Sequence, residues 1–327
     1  RDDDLMLCEK NIFKKDYKQV DLRFALAYPN VYRTAMSSLG YTILYNCINE
    51  REDTWCERII FPSTNSIESN TPSKYFDILS FSLQFEEDYF NLLKMLKDAQ
   101  IPLKRSERGD EDPLIIAGGP CATANPMPLS DYIDMFIIGE GENVINELID
   151  IYLSNPDKGL EKFLKVDGVY IPEFDNETKI AIIEDLNETY HVTYPIVSEG
   201  DVADDMSVFN NSIMLNVSRG CTRGCRFCMA GYLYRPMRQC DHRKLIDIAL
   251  ENRKNSGLNK VTLIGAAVSD YSNLDDLIDG LESEGFQIST PSLRIESITR
   301  NTLETLIKSG LKTITLAPES TSNLRKV

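Results

Sequence analysis

Three cysteines set close together are the side chains in this sequence best placed to do chemistry. Cys221, Cys225 and Cys228 stand in the run Ser218-Arg219-Gly220-Cys221-Thr222-Arg223-Gly224-Cys225-Arg226-Phe227-Cys228, a C-x3-C-x2-C spacing. Three thiolates on one tight loop can each hold one iron of a four-iron–four-sulfur cube and leave the fourth iron without a protein ligand. Gly220 and Gly224 let the backbone bend closely around such a group. Arg219, Arg223 and Arg226 favour the deprotonated, metal-binding thiolate. The competing use of the same residues is a zinc knot completed by Cys240, although zinc knots usually pair two C-x2-C units. Cys8, Cys47, Cys56 and Cys121 are scattered singly and read as small buried hydrophobes. A disulfide framework is not expected in a chain large enough to build its own core.

The loop needs a scaffold, and the pattern around it supplies one. Ile213–Val217 reads as a strand leading into the cysteines, and a helix follows over His242–Asn255, stopped near Gly257. Val261–Ile264 is the next strand. Leu274, Leu277, Ile278 and Leu281 mark a helix face. Phe286–Leu293 and Lys312–Leu316 supply two more strands, with a helix around Leu303, Leu306 and Ile307 between them. Four strands with three intervening helices make half of a TIM-like (βα) barrel, whose remainder is expected beyond Val327. Barrel sites form on the loops after the strands, which is where the cysteines fall.

An earlier block has the same rhythm. Strands are expected at Arg23–Ala27, Arg58–Phe61, Asp77–Leu83, Leu114–Ala117 and Met135–Ile138. Helices are expected around Met36–Leu44, Glu86–Gln100 and Val144–Leu153. The alternation implies a parallel, doubly wound, Rossmann-like sheet with ligands at the carboxyl ends of its strands. Domain limits are therefore expected at 1–155 and 210–327. Between them lies a connector, 156–209, with short β pieces at Val169–Ile171 and Ile180–Ile183.

The cysteine run, with Phe227 as its aromatic residue, resembles the signature of radical S-adenosylmethionine enzymes, and the resemblance covers roughly residues 209–327. It implies a cluster on Cys221, Cys225 and Cys228 whose open iron binds the amino and carboxylate groups of S-adenosylmethionine. One electron then breaks the carbon–sulfur bond and yields a 5′-deoxyadenosyl radical. Phe227, Gly265, Ala266, Ser292, Arg294 and Glu319 are the residues it assigns to the cofactor. Gly265-Ala266-Ala267 takes the place of a glycine motif meeting the methionine amino group, and Ser292, Arg294 and Glu319 that of contacts to its carboxylate or ribose. The acidic residue usual in the glycine motif is missing from Gly-Ala-Ala, which runs on as Val-Ser-Asp.

The first block resembles the cobalamin-binding-type domain that precedes the radical domain in many members. Ser82, Gly118, Gly119, Gly139 and Gly141 are the residues that match. Gln84 replaces a leucine of that pattern, and the loop after the first strand, Tyr28-Pro29-Asn30-Val31-Tyr32-Arg33, has no histidine. The whole sequence holds only His191 and His242. The resemblance therefore implies either cobalamin bound without a protein imidazole, or a scaffold whose crevice is filled by Tyr28, Tyr32 and Phe85.

Composition limits the partners. With 327 residues, 51 acidic against 35 basic side chains and a net charge of −16, the chain does not suit general nucleic-acid binding. No apolar run approaches the ~20 residues of a membrane span, and no leader pattern follows Arg1, so a cytoplasmic, soluble enzyme is expected. Between Ser218 and Lys244, however, seven basic residues meet one acid. That local excess suits an acidic electron donor such as flavodoxin or ferredoxin, with Arg235 and Arg238 steering it. The reaction expected is modification of an unactivated carbon, by methyl transfer if cobalamin binds. Sulfur insertion of the methylthiotransferase kind and a non-catalytic iron–sulfur redox or binding module are the alternatives. The substrate is not legible.

Overall fold

The computed structural model describes residues 9–155, 157, 159–198, 207–209, 211–290 and 292–316. Two compact units result, one of Arg1–Ile183 with Ile196–Val208 and one of Glu184–Pro195 with Phe209–Val327. The stretch 156–209 thus contributes to both.

The first unit is built on β1 (Leu22–Tyr28), α1 (Leu39–Asn49), β2 (Thr54–Ile60), β3 (Ile78–Ser82), α2 (Asp88–Asp98), β4 (Leu114–Gly118), β5 (Met135–Ile137), α3 (Gly141–Ser154) and β6 (Val169–Tyr170). The sheet order is β2-β1-β3-β4-β5-β6. All pairs are parallel except the last, β5 with β6. Period-two alternation divides β1 between two cores. Phe24, Leu26 and Tyr28 pack on one face with Tyr41 and Ile48 of α1 and with Leu148 of α3. Ala25 and Ala27 join Phe81 of β3 and Leu92 and Leu96 of α2 on the other. Helices on both faces of a parallel sheet make the doubly wound arrangement that the alternation predicts.

β2 begins four residues earlier than its apolar pattern suggests, because its polar residues are buried and paired. Arg58 is fully buried; its guanidinium holds Glu9 and, at 2.7 Å, Glu68. Burial disfavours its charge, but Glu68 and Glu9 outweigh that and hold its pKa well above the ordinary value. Glu57, also fully buried, accepts from Ser66 at 2.7 Å and from Ser69. Removing the cation while both carboxylates stay buried leaves an uncompensated charge. Arg58→Met is therefore expected to lower stability by about 3–5 kcal/mol. Denaturant midpoints with matched slopes would measure it, and a loss under ~1 kcal/mol would contradict the account.

The second unit carries β7 (Ile213–Asn216), β8 (Ser218–Arg219), β9 (Arg238–Gln239), α4 (His242–Ser256), β10 (Lys260–Ile264), α5 (Leu274–Ser283), β11 (Gln287–Ser289), β12 (Ser292–Leu293), α6 (Arg300–Lys308) and β13 (Thr315–Leu316). β7, β10 and β11 form a parallel sheet in the order β11-β10-β7, and β12 pairs in parallel with β13. Ile213, Leu215, Val261, Leu263 and Ile288 are buried with Leu245, Leu277 and Leu281 of the helices. Asp241 caps α4 by accepting from the Arg243 and Lys244 amides, and Gly257 ends it in the left-handed conformation. The single strand expected over Phe286–Leu293 is broken into β11 and β12. Among the described residues no helix is long and apolar enough to cross a membrane.

Candidate active site

The cysteine loop leaves the carboxyl end of β7 and is closed by an antiparallel pair. β8 pairs with β9, Ser218 opposite Gln239 and Arg219 opposite Arg238. This hairpin is absent from the sequence expectation, because two-residue strands carry no period. Gly220 makes the closure possible. Its φ is +79°, and a Cβ there would run into the carbonyls of Tyr234 and Pro236. Arg238 reinforces the closure from inside, donating to Pro236 O at 3.0 Å and to Tyr234 O at 3.1 Å. It is buried. Arg238 is therefore part of the loop's frame and does not steer a partner.

Within the loop Cys221, Cys225 and Cys228 are half-buried free thiols. The Arg223 amide donates to Cys221 Sγ at 3.4 Å. Cys240, fourth member of the zinc alternative, is buried, and burial pushes its thiol up to about 11. Its Sγ lies 3.5 Å from Asn187 Oδ1 and 3.9 Å from His191 Nε2. Among the described residues, no group of three or more His, Cys, Asp or Glu is arranged around a single metal ion. A cube, which gives each thiolate a separate iron, does not require the three sulfurs to converge on one point.

The loops after the neighbouring strands approach the cysteine loop. Gly265, after β10, is needed for space, since a Cβ there would lie 2.6 Å from Ser218 Oγ. Ala266 is exposed. Ser269 Oγ accepts the Arg294 amide at 3.0 Å. Asp270, which sequence reasoning did not single out, receives Arg223 Nε at 2.9 Å and Nη2 at 3.1 Å. Ser297 Oγ donates to it at 2.9 Å, and Arg294 Nε is 3.9 Å away. Burial pushes its carboxyl up, but the Arg223 and Ser297 bonds, with the charges of Arg223 and Arg294, outweigh that and hold it below the usual carboxylate range. Phe227 is 73% exposed. Ser292 opens β12, and Glu319 lies outside the described residues.

Few of the seven basic residues stand unengaged. Arg219 donates to Asn216 Oδ1 at 2.9 Å, Lys244 to the Asn187 carbonyl, and Arg235 packs its guanidinium 4.6 Å from the Tyr232 ring centre. Most of the local positive charge thus serves to frame the loop.

In the first unit the carboxyl ends of β1 and β3 are where the sheet order reverses, the usual ligand crevice of this fold. Asn30 Nδ2 donates to Asp88 Oδ1 at 3.0 Å there, and Asp88 also accepts from the amides of Gln84 and Phe85. Tyr28 and Tyr32 are buried in the core. Phe85 is 51% exposed and does not join them. Ser82 Oγ accepts from Gln84 Nε2 at 3.2 Å. Gly119 has its missing Cβ position against the Leu83 backbone, Gly139 against the Ala181 backbone, Gly118 against Ile137 and Gly141 against Leu44. The Gly139 contact belongs to a β-bridge with Ala181, and Ile183 N donates to Glu140 Oε2 at 2.6 Å.

Comparison with known proteins agrees with this geometry. The family model described as "Radical SAM proteins, N-terminal" matches residues 40–172, and that described as "Radical SAM superfamily" matches residues 215–327. The chain belongs to the radical S-adenosylmethionine superfamily. It is 31% identical over 300 residues to an uncharacterized protein of Methanocaldococcus jannaschii, covering 91% of this chain and 60% of that protein. Among solved structures it is similar in fold to the cobalamin-dependent S-adenosylmethionine radical enzyme OxsB, with a TM-score of 0.64 and 18% identity over 93% of this chain and 45% of the other. It is also similar to the radical S-adenosylmethionine methyltransferase TsrM of Kitasatospora setae, with a TM-score of 0.64 and 11% identity over 92% of this chain and 60% of the other. The chain therefore spans about half to three-fifths of the length of these relatives.

The family implies a four-iron–four-sulfur cluster and S-adenosylmethionine, and the site suits them. Three free thiols share one closed loop, and a backbone N–H already points at one sulfur. For cobalamin the first unit offers no imidazole, whereas the similar structure OxsB is one with aqua-cobalamin bound.

Proposed function

We propose that this protein is an enzyme that cleaves S-adenosylmethionine reductively and uses the radical to abstract hydrogen from an unactivated carbon of its substrate. One observation carries the reading: three half-buried free cysteines lie on one loop, closed by a hairpin, at the carboxyl end of the first strand of a parallel sheet. When bound, the cluster and its cofactor supply a single-electron cleavage of a carbon–sulfur bond, chemistry that no side chain provides.

The chain's own contribution is position. Cys221, Cys225 and Cys228 would hold three irons and leave the fourth for the amino and carboxylate groups of S-adenosylmethionine. The loops at Gly265–Asp270 and at Arg294 are tied together by Ser269 and Asp270 and would form the cofactor's flank. A small acidic electron carrier of the flavodoxin or ferredoxin type is the reductant this reading needs, with Arg226 as an exposed basic contact on the loop. Cys47, Cys56 and Cys121 are each buried in the first unit, so sulfur insertion through a second cluster gains no support from them. Cobalamin held by the first unit would be bound without a protein imidazole, since that unit has no histidine.

The test is anaerobic reconstitution of the full-length protein with iron and sulfide, followed by dithionite and S-adenosylmethionine. Release of 5′-deoxyadenosine and methionine is expected, with Cys225→Ala as the blank. An intact cluster that never cleaves the cofactor would replace this reading by the non-catalytic redox module.

A further inference from the structure

The glycine motif after β10 lacks the acid expected of it, yet an acid three residues beyond Ala267 reaches the cysteine loop. Asp270 sits where four segments meet. Its carboxylate takes both Nε and Nη2 of Arg223, which lies between Cys221 and Cys225, at 2.9 and 3.1 Å. It takes the Ser297 hydroxyl at 2.9 Å from the loop after β12. Its main-chain carbonyl accepts from Gln239 Nε2 of β9 at 3.4 Å. Its own amide closes a turn onto Ala267 O at 2.9 Å. The carboxylate is nearly buried, with 9% of the side chain exposed.

A two-pronged guanidinium–carboxylate pair fixes direction as well as distance. Arg223, gripped at its tip, also donates its backbone amide to Cys221 Sγ at 3.4 Å. The same residue's carbonyl accepts from Arg235 Nη2 at 3.2 Å, so the peptide units on both sides of Arg223 are tied down.

We propose that Asp270 is a positioning residue that preorganises the cysteine loop before any metal arrives, through Arg223, and locks that loop to the strand ends that flank it. Its carboxylate reaches the cysteine loop through Arg223. Its value to catalysis rests on the iron–sulfur reading above, whereas its effect on the loop does not. A sequence motif search misses it because the acid belongs to a different loop from the residue it orients.

Hydrogen–deuterium exchange on the full-length, metal-free protein reads the loop directly. Asp270→Ala and Arg223→Ala are each expected to speed exchange across residues 221–229 by about tenfold, as loss of a charge-assisted pair in a half-exposed loop allows. The double variant should be no faster than either single one, since the two changes remove the same interaction. Asp270→Glu, which keeps the charge, should restore protection to within about threefold. Should Asp270→Ala fail to fold, Asp270→Asn keeps an acceptor for Ser297, removes the charge and is expected to show the same faster exchange. Unchanged exchange in the single variants, additive effects in the double, or Asp270→Glu as fast as Asp270→Ala would each overturn the proposal. Because no metal is present, the result stands whether or not 5′-deoxyadenosine is ever formed.

Discussion

Cys221→Ala, Cys225→Ala and Cys228→Ala are each expected to abolish the iron–sulfur centre, while Cys240→Ala leaves it intact. Reconstituted protein should carry about four irons and four sulfides per chain and absorb broadly near ~400 nm, the charge-transfer band of iron–thiolate bonds. A cube held by three thiolates has no spare ligand, so losing one removes a third of its protein bonds and opens a second iron to solvent. Cys240 differs in every respect that matters. It is 2% exposed, its thiol is pushed up to about 11 by burial, and its carbonyl is held by the Tyr271 hydroxyl at 2.6 Å. A buried thiol gives up its proton less readily than an accessible one. Iron, sulfide and zinc analysis of the four variants decides the matter. Stoichiometric zinc that disappears in Cys240→Ala would establish the zinc knot in place of the cluster.

The parts of the molecule governed by local period were legible from the sequence. The strands that became β1, β3, β4, β5, β7 and β10 and the helices that became α2, α3, α4, α5 and α6 announce themselves by apolar spacing, and Gly257 marks the end of α4. The rest depends on partners distant in sequence. β2 reads short because Glu57 and Arg58 interrupt the apolar run, and only the fold brings Glu9, Glu68 and Ser66 to satisfy them. Phe286–Leu293 looks continuous, yet the sheet hydrogen bonds of β11 end at Ser289 and β12 pairs instead with β13. Gly139 reads as a ligand glycine; its positive φ and its bridge to Ala181, part of the connector's return, depend on a segment about forty residues on and are not legible locally.

The candidate site divides in the same way. The cysteines are legible because three thiolates at that spacing have few structural uses. The basic residues are not. Charge counting treats Arg238 like Arg226, although one is buried among carbonyls and the other faces solvent. Asp270 could have been noticed only as the first acid after Gly265, a weak signal until Arg223 is seen to reach it.

Gly220→Ala is expected to eliminate iron binding almost as fully as loss of a cysteine, and a second glycine shows why. Gly220 and Gly257 have nearly the same backbone conformation, φ +79° and +77°. In the left-handed region an alanine costs about 1 kcal/mol at either site through its own backbone. The surroundings then separate them. Around Gly257, at the end of α4, nothing lies within 4 Å of the position a Cβ would take. At Gly220 the same atom would enter the carbonyls of Tyr234 and Pro236, and it would lie 3.1 Å from Met237 Cα. Those groups are main chain and cannot rotate aside as a side-chain tip can. They also belong to the turn that β8 and β9 close with only two residues each. The hairpin must therefore open, releasing Arg238 from the Tyr234 and Pro236 carbonyls and Cys221 from the position the loop gives it. Gly220→Ala should retain less than about a tenth of the iron of the unaltered protein after reconstitution and gel filtration. Its far-ultraviolet circular dichroism should be nearly unchanged, because Gly220 lies outside the parallel sheet. Gly257→Ala should keep its full iron content and lose only about 1 kcal/mol of stability. If both variants bind iron equally well, closure of the loop by β8 and β9 is not what holds the three thiolates together.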